Sequence, residues 1–159
     1  EDFVANNDVQ LVVLGKGDYQ YEDFFRGLAQ RYPDHVVLSV DFIPDLARKI
    51  YAGSDMFLMP SKSEPCGLSQ MISSVYGAIP VVRETGGLYD TIKPYNEFTG
   101  DGNGFTFANY NADELRDRIY AALALYADAD LRKRMTVKIM KTDFSWASSA
   151  KQYLAMYEI

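Results

Sequence analysis

Four short apolar runs recur along this chain: Val9–Leu14, Val36–Val40, Met56–Met59 and Ile79–Arg83. Stretches with helical spacing stand between them. Runs of this length, bounded by turn residues, read as strands. Val9–Leu14 is broken only by Gln10, the pattern of a strand covered on both faces. A regular succession of strand and helix implies parallel pairing, because a parallel neighbour is reached only through a crossover. The expected class is therefore α/β, a parallel sheet with helices on both faces.

The intervening segments support that reading. Tyr19–Tyr32 carries Phe24, Phe25, Leu28 and Ala29 at helical spacing and stops at Pro33-Asp34. Asp45–Tyr51 is a short helix ended by Gly53, and Leu68–Tyr76 is a helix with Gly77 as its C-cap. Leu88–Ile92 forms a short helix or turn, and Phe105–Phe107 a last strand. Ala112–Ala127, Ala129–Lys141 and Trp146–Tyr157 read as three helices, so residues 108–159 form a helical C-terminal tail. In that tail Trp146 is expected to pack on the sheet. Lys93–Asn103 is a polar loop expected to be mobile. The architecture is Rossmann-like, with residues 1–159 as one domain. Glu1–Asn7 reads as the tail of a helix leading into the first strand, and the chain is expected to be cut from a longer protein.

Composition narrows the partners. A formal net charge of −6 with no dominant basic cluster argues against nucleic acid. The densest basic stretch, Arg132-Lys133-Arg134, lies on a predicted helix and reads as a solvated face. One cysteine and one histidine exclude an internal disulfide and a zinc cluster, so no metal is expected. No apolar run has the length of a membrane span. The expectation is a cytoplasmic protein without a membrane partner.

Open parallel sheets bind ligands outside the carboxyl ends of their strands. That singles out Gly15–Asp18, Asp41–Pro44, Ser61–Gly67 and Glu84–Gly87. The third is the most telling. After the strand at Met56–Met59 comes Ser61-Lys62-Ser63-Glu64-Pro65-Cys66-Gly67, then a helix. A helix start offers unpaired N–H groups and partial positive charge, which suit a phosphate. A carboxylate one turn away can meet hydroxyls, so the pattern points to a nucleotide-sugar site. Taken alone, Glu64 reads rather as a solvated loop carboxylate capping the next helix, and Cys66 as a small buried side chain. Phe42 is either a stacking face for a base or a core residue. Tyr51, at helical spacing with Leu46 and Ile50, reads as packing. Gly15 and Gly17 are turn glycines, and Thr85 a turn cap.

The blocks Glu64-Pro65-Cys66-Gly67-Leu68-Ser69-Gln70, Tyr76-Gly77-Ala78-Ile79-Pro80-Val81-Val82-Arg83 and Thr85-Gly86-Gly87-Leu88 resemble the bacterial glycogen synthase and plant starch synthase family. Leu14-Gly15-Lys16-Gly17-Asp18, Asn103-Gly104-Phe105 and Phe144-Ser145-Trp146 match in the same order. The resemblance implies the carboxy-terminal half of a GT-B fold, a retaining glycosyltransferase of two Rossmann domains. It implies glucose transfer from ADP-glucose to the non-reducing end of an α-1,4-glucan, without cofactor or metal. Glu64 would be the catalytic carboxylate beside the donor glucose. Cys66, Gly67, Leu68 and Ser69 would hold the sugar and distal phosphate, and Phe42 the adenine. Gly15, Gly17, Arg83 and Thr85 would support them. A second glutamate, common eight positions later in related transferases, is replaced here by Ile72, as is usual in this branch. The amino-terminal domain would lie outside this chain, leaving the fragment inactive alone, and a plant homologue would place the protein in a plastid. The alternatives are another nucleotide-sugar-dependent retaining glycosyltransferase or a non-catalytic sugar-nucleotide-binding module.

Overall fold

A computed structural model describes residues Glu1–Tyr157, so the last two residues of the expected tail, Glu158 and Ile159, lie outside the described residues. The chain falls into two compact units, Glu1–Ile50 and Tyr51–Ile159.

In the first unit, α1 (Asp2–Asn6) leads to β1 (Leu11–Leu14), α2 (Tyr19–Arg31) and β2 (Val36–Ser39). β1 and β2 pair in parallel, with Leu11 opposite Val36 and Leu14 opposite Ser39. Val4, Leu28 and Val36 form the core, with Phe3, Leu11, Phe25, Ala29 and Tyr32 against it. These side chains come from α1, α2 and one face of the two strands. Val12 and Val37, on the opposite face, are exposed, so β1 is not covered on both sides as its apolar run implied. Alternation along a strand sends neighbours to opposite faces, and the described residues of this unit cover only one. α3 (Pro44–Gly53) begins at a proline, whose fixed φ suits a first helical turn.

The second unit is built on β3 (Met56–Met59), β4 (Ile79–Arg83) and β5 (Phe105–Phe107). They pair in parallel in the order β3-β4-β5. β4 is central and buried from Ile79 to Val82. Ile79 and Val81 face a core with Phe105, Ala122, Leu125, Met135 and Ile139. Those last four come from α6 (Ala112–Ala127) and α7 (Ala129–Met140). Val82 faces the other way, against Leu88 and Ile92 around α5 (Gly87–Thr91). Each such side chain contributes roughly 1.5–3 kcal/mol by leaving water. β4 is thus the fixed rail on which the adjoining loops are mounted.

α4 (Ser69–Tyr76) follows β3 and ends where Gly77 takes φ +95°, with its N–H on the Ser73 and Ser74 carbonyls, the expected left-handed cap. Tyr51 stacks on Tyr76 at 6.2 Å and meets Phe57 at 5.5 Å, so it is a packing residue. α8 (Trp146–Tyr157) closes the unit. Trp146 corrects the expectation: it is 90 % exposed, and Tyr153 and Tyr157 are exposed with it. Helical spacing marks which residues share a face, but not whether anything covers that face.

Candidate functional site

Parallel strands deliver their following loops to one edge, and in the second unit these are the loops after β3, β4 and β5. Arg83, the last residue of β4, ties them together. Its Nη1 donates to the Lys62 carbonyl at 2.9 Å and the Ser61 carbonyl at 3.4 Å, and its Nε to the Ala108 carbonyl at 3.1 Å. One guanidinium therefore anchors the loop after β3 to the loop after β5, across the strand between them. A rigid five-donor fork can do this, and a lysine cannot.

The next anchor is bare backbone. A Cβ on Gly86 would lie 1.9 Å from the Glu64 carbonyl oxygen, and one on Gly87 2.0 Å from that of Cys66. Gly86 also has φ +47°. The Glu64–Cys66 segment rests directly on these two glycines, closer than any side chain permits. Because the Cys66 backbone turns inward, its thiol is exposed, and the buried side chain expected from sequence is not what forms.

Gly67 has φ +73° and opens α4. No side chain caps that helix, and Ile72 is the first residue there whose N–H meets a carbonyl, that of Leu68 at 2.9 Å. The N–H groups of Cys66 to Met71 take no acceptor from the described residues. The turn is a concentrated set of donors at the positive end of a helix, suited to an oxyanion. Ser69 is half-buried and Leu68 exposed beside it.

Glu64 and Glu84 stand on the loops after β3 and β4, and their surroundings separate them. Glu84 Oε1 accepts a 2.6 Å hydrogen bond from Thr106 Oγ1. Glu64 is half-buried and makes no side-chain hydrogen bond or ion pair among the described residues. It is the carboxylate left available, and it does not cap α4. Thr85 supports its turn through its carbonyl, which accepts from Leu88 N at 3.1 Å, while its hydroxyl caps nothing in α5. Ile72 is exposed on the outer face of α4, in an apolar groove of about 280 Å³ with Leu68, Met71, Val75, Tyr76 and Phe144.

Sequence reasoning overlooked the side chain of Gln70. It is fully buried under the turn and donates from Nε2 to the Gly67 carbonyl at 3.0 Å, the Cys66 carbonyl at 3.4 Å and Thr91 Oγ1 at 3.1 Å. Pattern reading would bury the apolar side of α4, whereas the face that is buried carries Gln70, Ser73 and Ser74, and buried polar groups need partners.

In the first unit, Phe42 is 84 % exposed, which removes the core alternative for it. Its N–H donates to Asp41 Oδ1 at 2.8 Å, and Lys16 Nζ lies 3.2 Å from the same oxygen. Those two contacts, the backbone bond first, hold the Asp41 carboxyl below its ordinary range. A Cβ on Gly15 or Gly17 would meet nothing within 4 Å, so packing of the described chain does not require either glycine. Among the described residues no three His, Cys, Asp or Glu side chains gather to hold a metal, and no helix is long and apolar enough to cross a membrane.

Parallel strands whose following loops gather at one edge, beside a helix N-terminus and an available carboxylate, are a Rossmann-like α/β arrangement. The chain belongs to the family described as glycosyl transferases group 1, whose model matches residues 2–141. It is 53 % identical over 155 residues to a glycogen synthase of Clostridium botulinum, covering 98 % of this chain and 32 % of that protein. A glycogen synthase of Desulforamulus reducens is 52 % identical over 151 residues, covering 95 % and 32 %. The chain therefore spans about a third of the length of these curated relatives. Among solved structures, the catalytic domain of starch synthase IV from Arabidopsis thaliana, bound to ADP and acarbose, matches with a TM-score of 0.81 at 38 % identity. That match covers 94 % of this chain and 32 % of the other. A sucrose-phosphate synthase from Thermosynechococcus elongatus shares the fold at a TM-score of 0.67 and 23 % identity, over 98 % of this chain and 39 % of that one. The fold is that of the matching part of a GT-B glycosyltransferase.

Proposed function

We propose that this chain is the donor-binding part of a glycogen or starch synthase. The full protein would transfer glucose from ADP-glucose to the non-reducing end of an α-1,4-glucan with retention. The observation that carries the proposal is the seating of Glu64-Pro65-Cys66 on Gly86-Gly87, which sets an unengaged carboxylate one turn from a row of free N–H donors. Cys66, Gly67, Leu68 and Ser69 hold the distal phosphate and sugar through those donors. Glu64 faces the glucose and stabilises positive charge as it develops at the anomeric carbon, a preorganised electrostatic effect. Phe42 offers its exposed ring to the adenine. Arg83 and Thr85 act as positioning residues, and Gly15 and Gly17 leave room at their turn. Neither metal nor cofactor takes part, and the cytoplasm is the proposed compartment. ADP in the starch synthase neighbour supports the choice of nucleotide. The rest of the catalytic apparatus, including a first GT-B domain, is supplied by the longer protein.

Amide resonances of Gly67, Leu68 and Ser69 are expected to shift saturably with ADP, with a further change at Glu64 only when glucose is attached. In the full-length protein, Glu64→Ala is expected to lower turnover by at least about a hundredfold while leaving the melting temperature in place. Near-normal turnover would remove Glu64 from the mechanism. Faster turnover with UDP-glucose than with ADP-glucose would assign a different donor.

A further inference from the structure

The buried amide of Gln70 has an unusual arrangement. Its Nε2 shares two hydrogens among three acceptors, the carbonyls of Cys66 and Gly67 and the Thr91 hydroxyl. Its Oε1 is buried without any partner among the described residues. The reverse orientation would set that oxygen against two carbonyls, so chemistry fixes the amide as it stands. An unpaired buried acceptor carries a cost, and native proteins seldom retain one without a reason.

The reason lies in the peptide planes above it. In a trans peptide the C=O of one residue and the N–H of the next point in opposite directions, and no cis bond occurs here. Drawing the Cys66 carbonyl inward turns the Gly67 N–H outward. Drawing the Gly67 carbonyl inward does the same for the Leu68 N–H. Thr91 completes the device: its hydroxyl accepts from Gln70 and donates to the Gly87 carbonyl at 2.6 Å. Gly87 in turn is the floor under Cys66. The backbone of α4 is braced separately, by Ser73 and Ser74 hydroxyls on the Gln70 carbonyl at 2.9 and 2.8 Å. Those bonds do not involve the Gln70 side chain.

We propose that Gln70, relayed through Thr91, is a positioning residue for donor binding: its amide holds two carbonyls inward so that the Gly67 and Leu68 N–H groups face the donor's distal phosphate. This rests on the reading of the turn as the phosphate site. It predicts an effect on affinity from side chains that never touch the ligand.

The test uses the full-length protein with ADP as probe. Hydrogen exchange of the segment containing Gly67 and Leu68 is measured first on the wild type. ADP is expected to slow it, and absence of protection overturns the site reading and this inference together. Calorimetric ADP affinity is then compared for Gln70→Met, Thr91→Val and Thr91→Ser. Loss of the Nε2 bonds is expected to raise Kd about tenfold in Gln70→Met. Thr91→Val keeps the shape without the hydroxyl and should weaken ADP several-fold. Thr91→Ser, which loses a methyl but keeps the hydroxyl, should recover most of that loss, the opposite of what a packing role requires. Should Gln70→Met fail to fold, the Thr91 pair decides. Wild-type protection with unchanged affinity in folded Gln70→Met, or Thr91→Ser as weak as Thr91→Val, overturns the role of Gln70 alone.

Discussion

Gly86 and Gly87 are where single atoms decide the site. An added Cβ would penetrate backbone oxygens at 1.9 and 2.0 Å, and backbone cannot swing aside as a flexible side chain can. Gly87→Ala is therefore expected to destabilise by roughly 2–3 kcal/mol, or to push out the Glu64–Cys66 segment and abolish ADP binding. Thermal melting with ADP calorimetry checks both routes, and a stable, normally binding variant would contradict the seating. Arg83 makes a different kind of demand. Arg83→Lys keeps the charge but cannot span three carbonyls on two loops, so a loss of roughly 1–3 kcal/mol is expected in denaturant unfolding. At this scale the sequence was only partly legible. Glu64 and Gly67 could be placed on a strand-end loop, and Ser69 at the start of the helix after it, because open parallel sheets bind ligands outside the carboxyl ends of their strands. The pairing of Cys66 with Gly87 and the descent of Gln70 into the core link residues through tertiary contact, for which local pattern has no sign.

Elements were more readable than contacts. Phe105–Phe107 and Ala112–Ala127 have their expected bounds because both are set by local chemistry: a short apolar run, and a helix opened by Asn111. Asn111 Oδ1 accepts from Glu114 N at 2.8 Å, a side-chain N-cap. Glu114 then reaches back, its Oε2 accepting from the N–H groups of Asn109 at 2.9 Å and Ala108 at 3.1 Å, so β5 and α6 are joined through one carboxylate. The Asn109 side-chain amide also donates to Glu114 Oε1, and this bond first, with the backbone ones, holds the Glu114 carboxyl below its ordinary range. A carboxyl depressed by folding stabilises above its unfolded pKa, and that contribution disappears as pH falls through the lower folded value. Acidification is accordingly expected to speed amide exchange at Ala108 and Asn109 before the β4 amides respond. In Glu114→Gln this pH dependence should flatten, and an unchanged profile would assign the acid response elsewhere. What the element pattern could not convey was coverage. The Val9–Leu14 run looks like an interior strand, yet within its unit one face of β1 is open.

For the whole molecule the informative quantity is apolar surface left uncovered. α8 displays Trp146, Tyr153, Leu154, Met156 and Tyr157 to solvent, a concentration of large apolar side chains on one helix that ordinary monomer surfaces avoid. The curated relatives are about three times as long as this chain. On both grounds, we expect the longer protein to supply a surface against which this helix packs. Trp146, expected to pack on the sheet, is exposed instead and stands on the face that such a surface would cover. Trp146 is the only tryptophan in these residues, which makes the argument measurable. In the isolated chain its fluorescence is expected at the long wavelengths of a hydrated indole, with free quenching by acrylamide. In the full-length protein, with Trp146 retained as sole tryptophan, emission should shift to the blue and quenching should fall several-fold. Tyr153→Asp should weaken that shielding, because a charge would then stand on the covered face. Equal emission and equal quenching in the two proteins would mean that α8 stays bare in the longer chain, and that its apolar face serves some partner other than the rest of that protein.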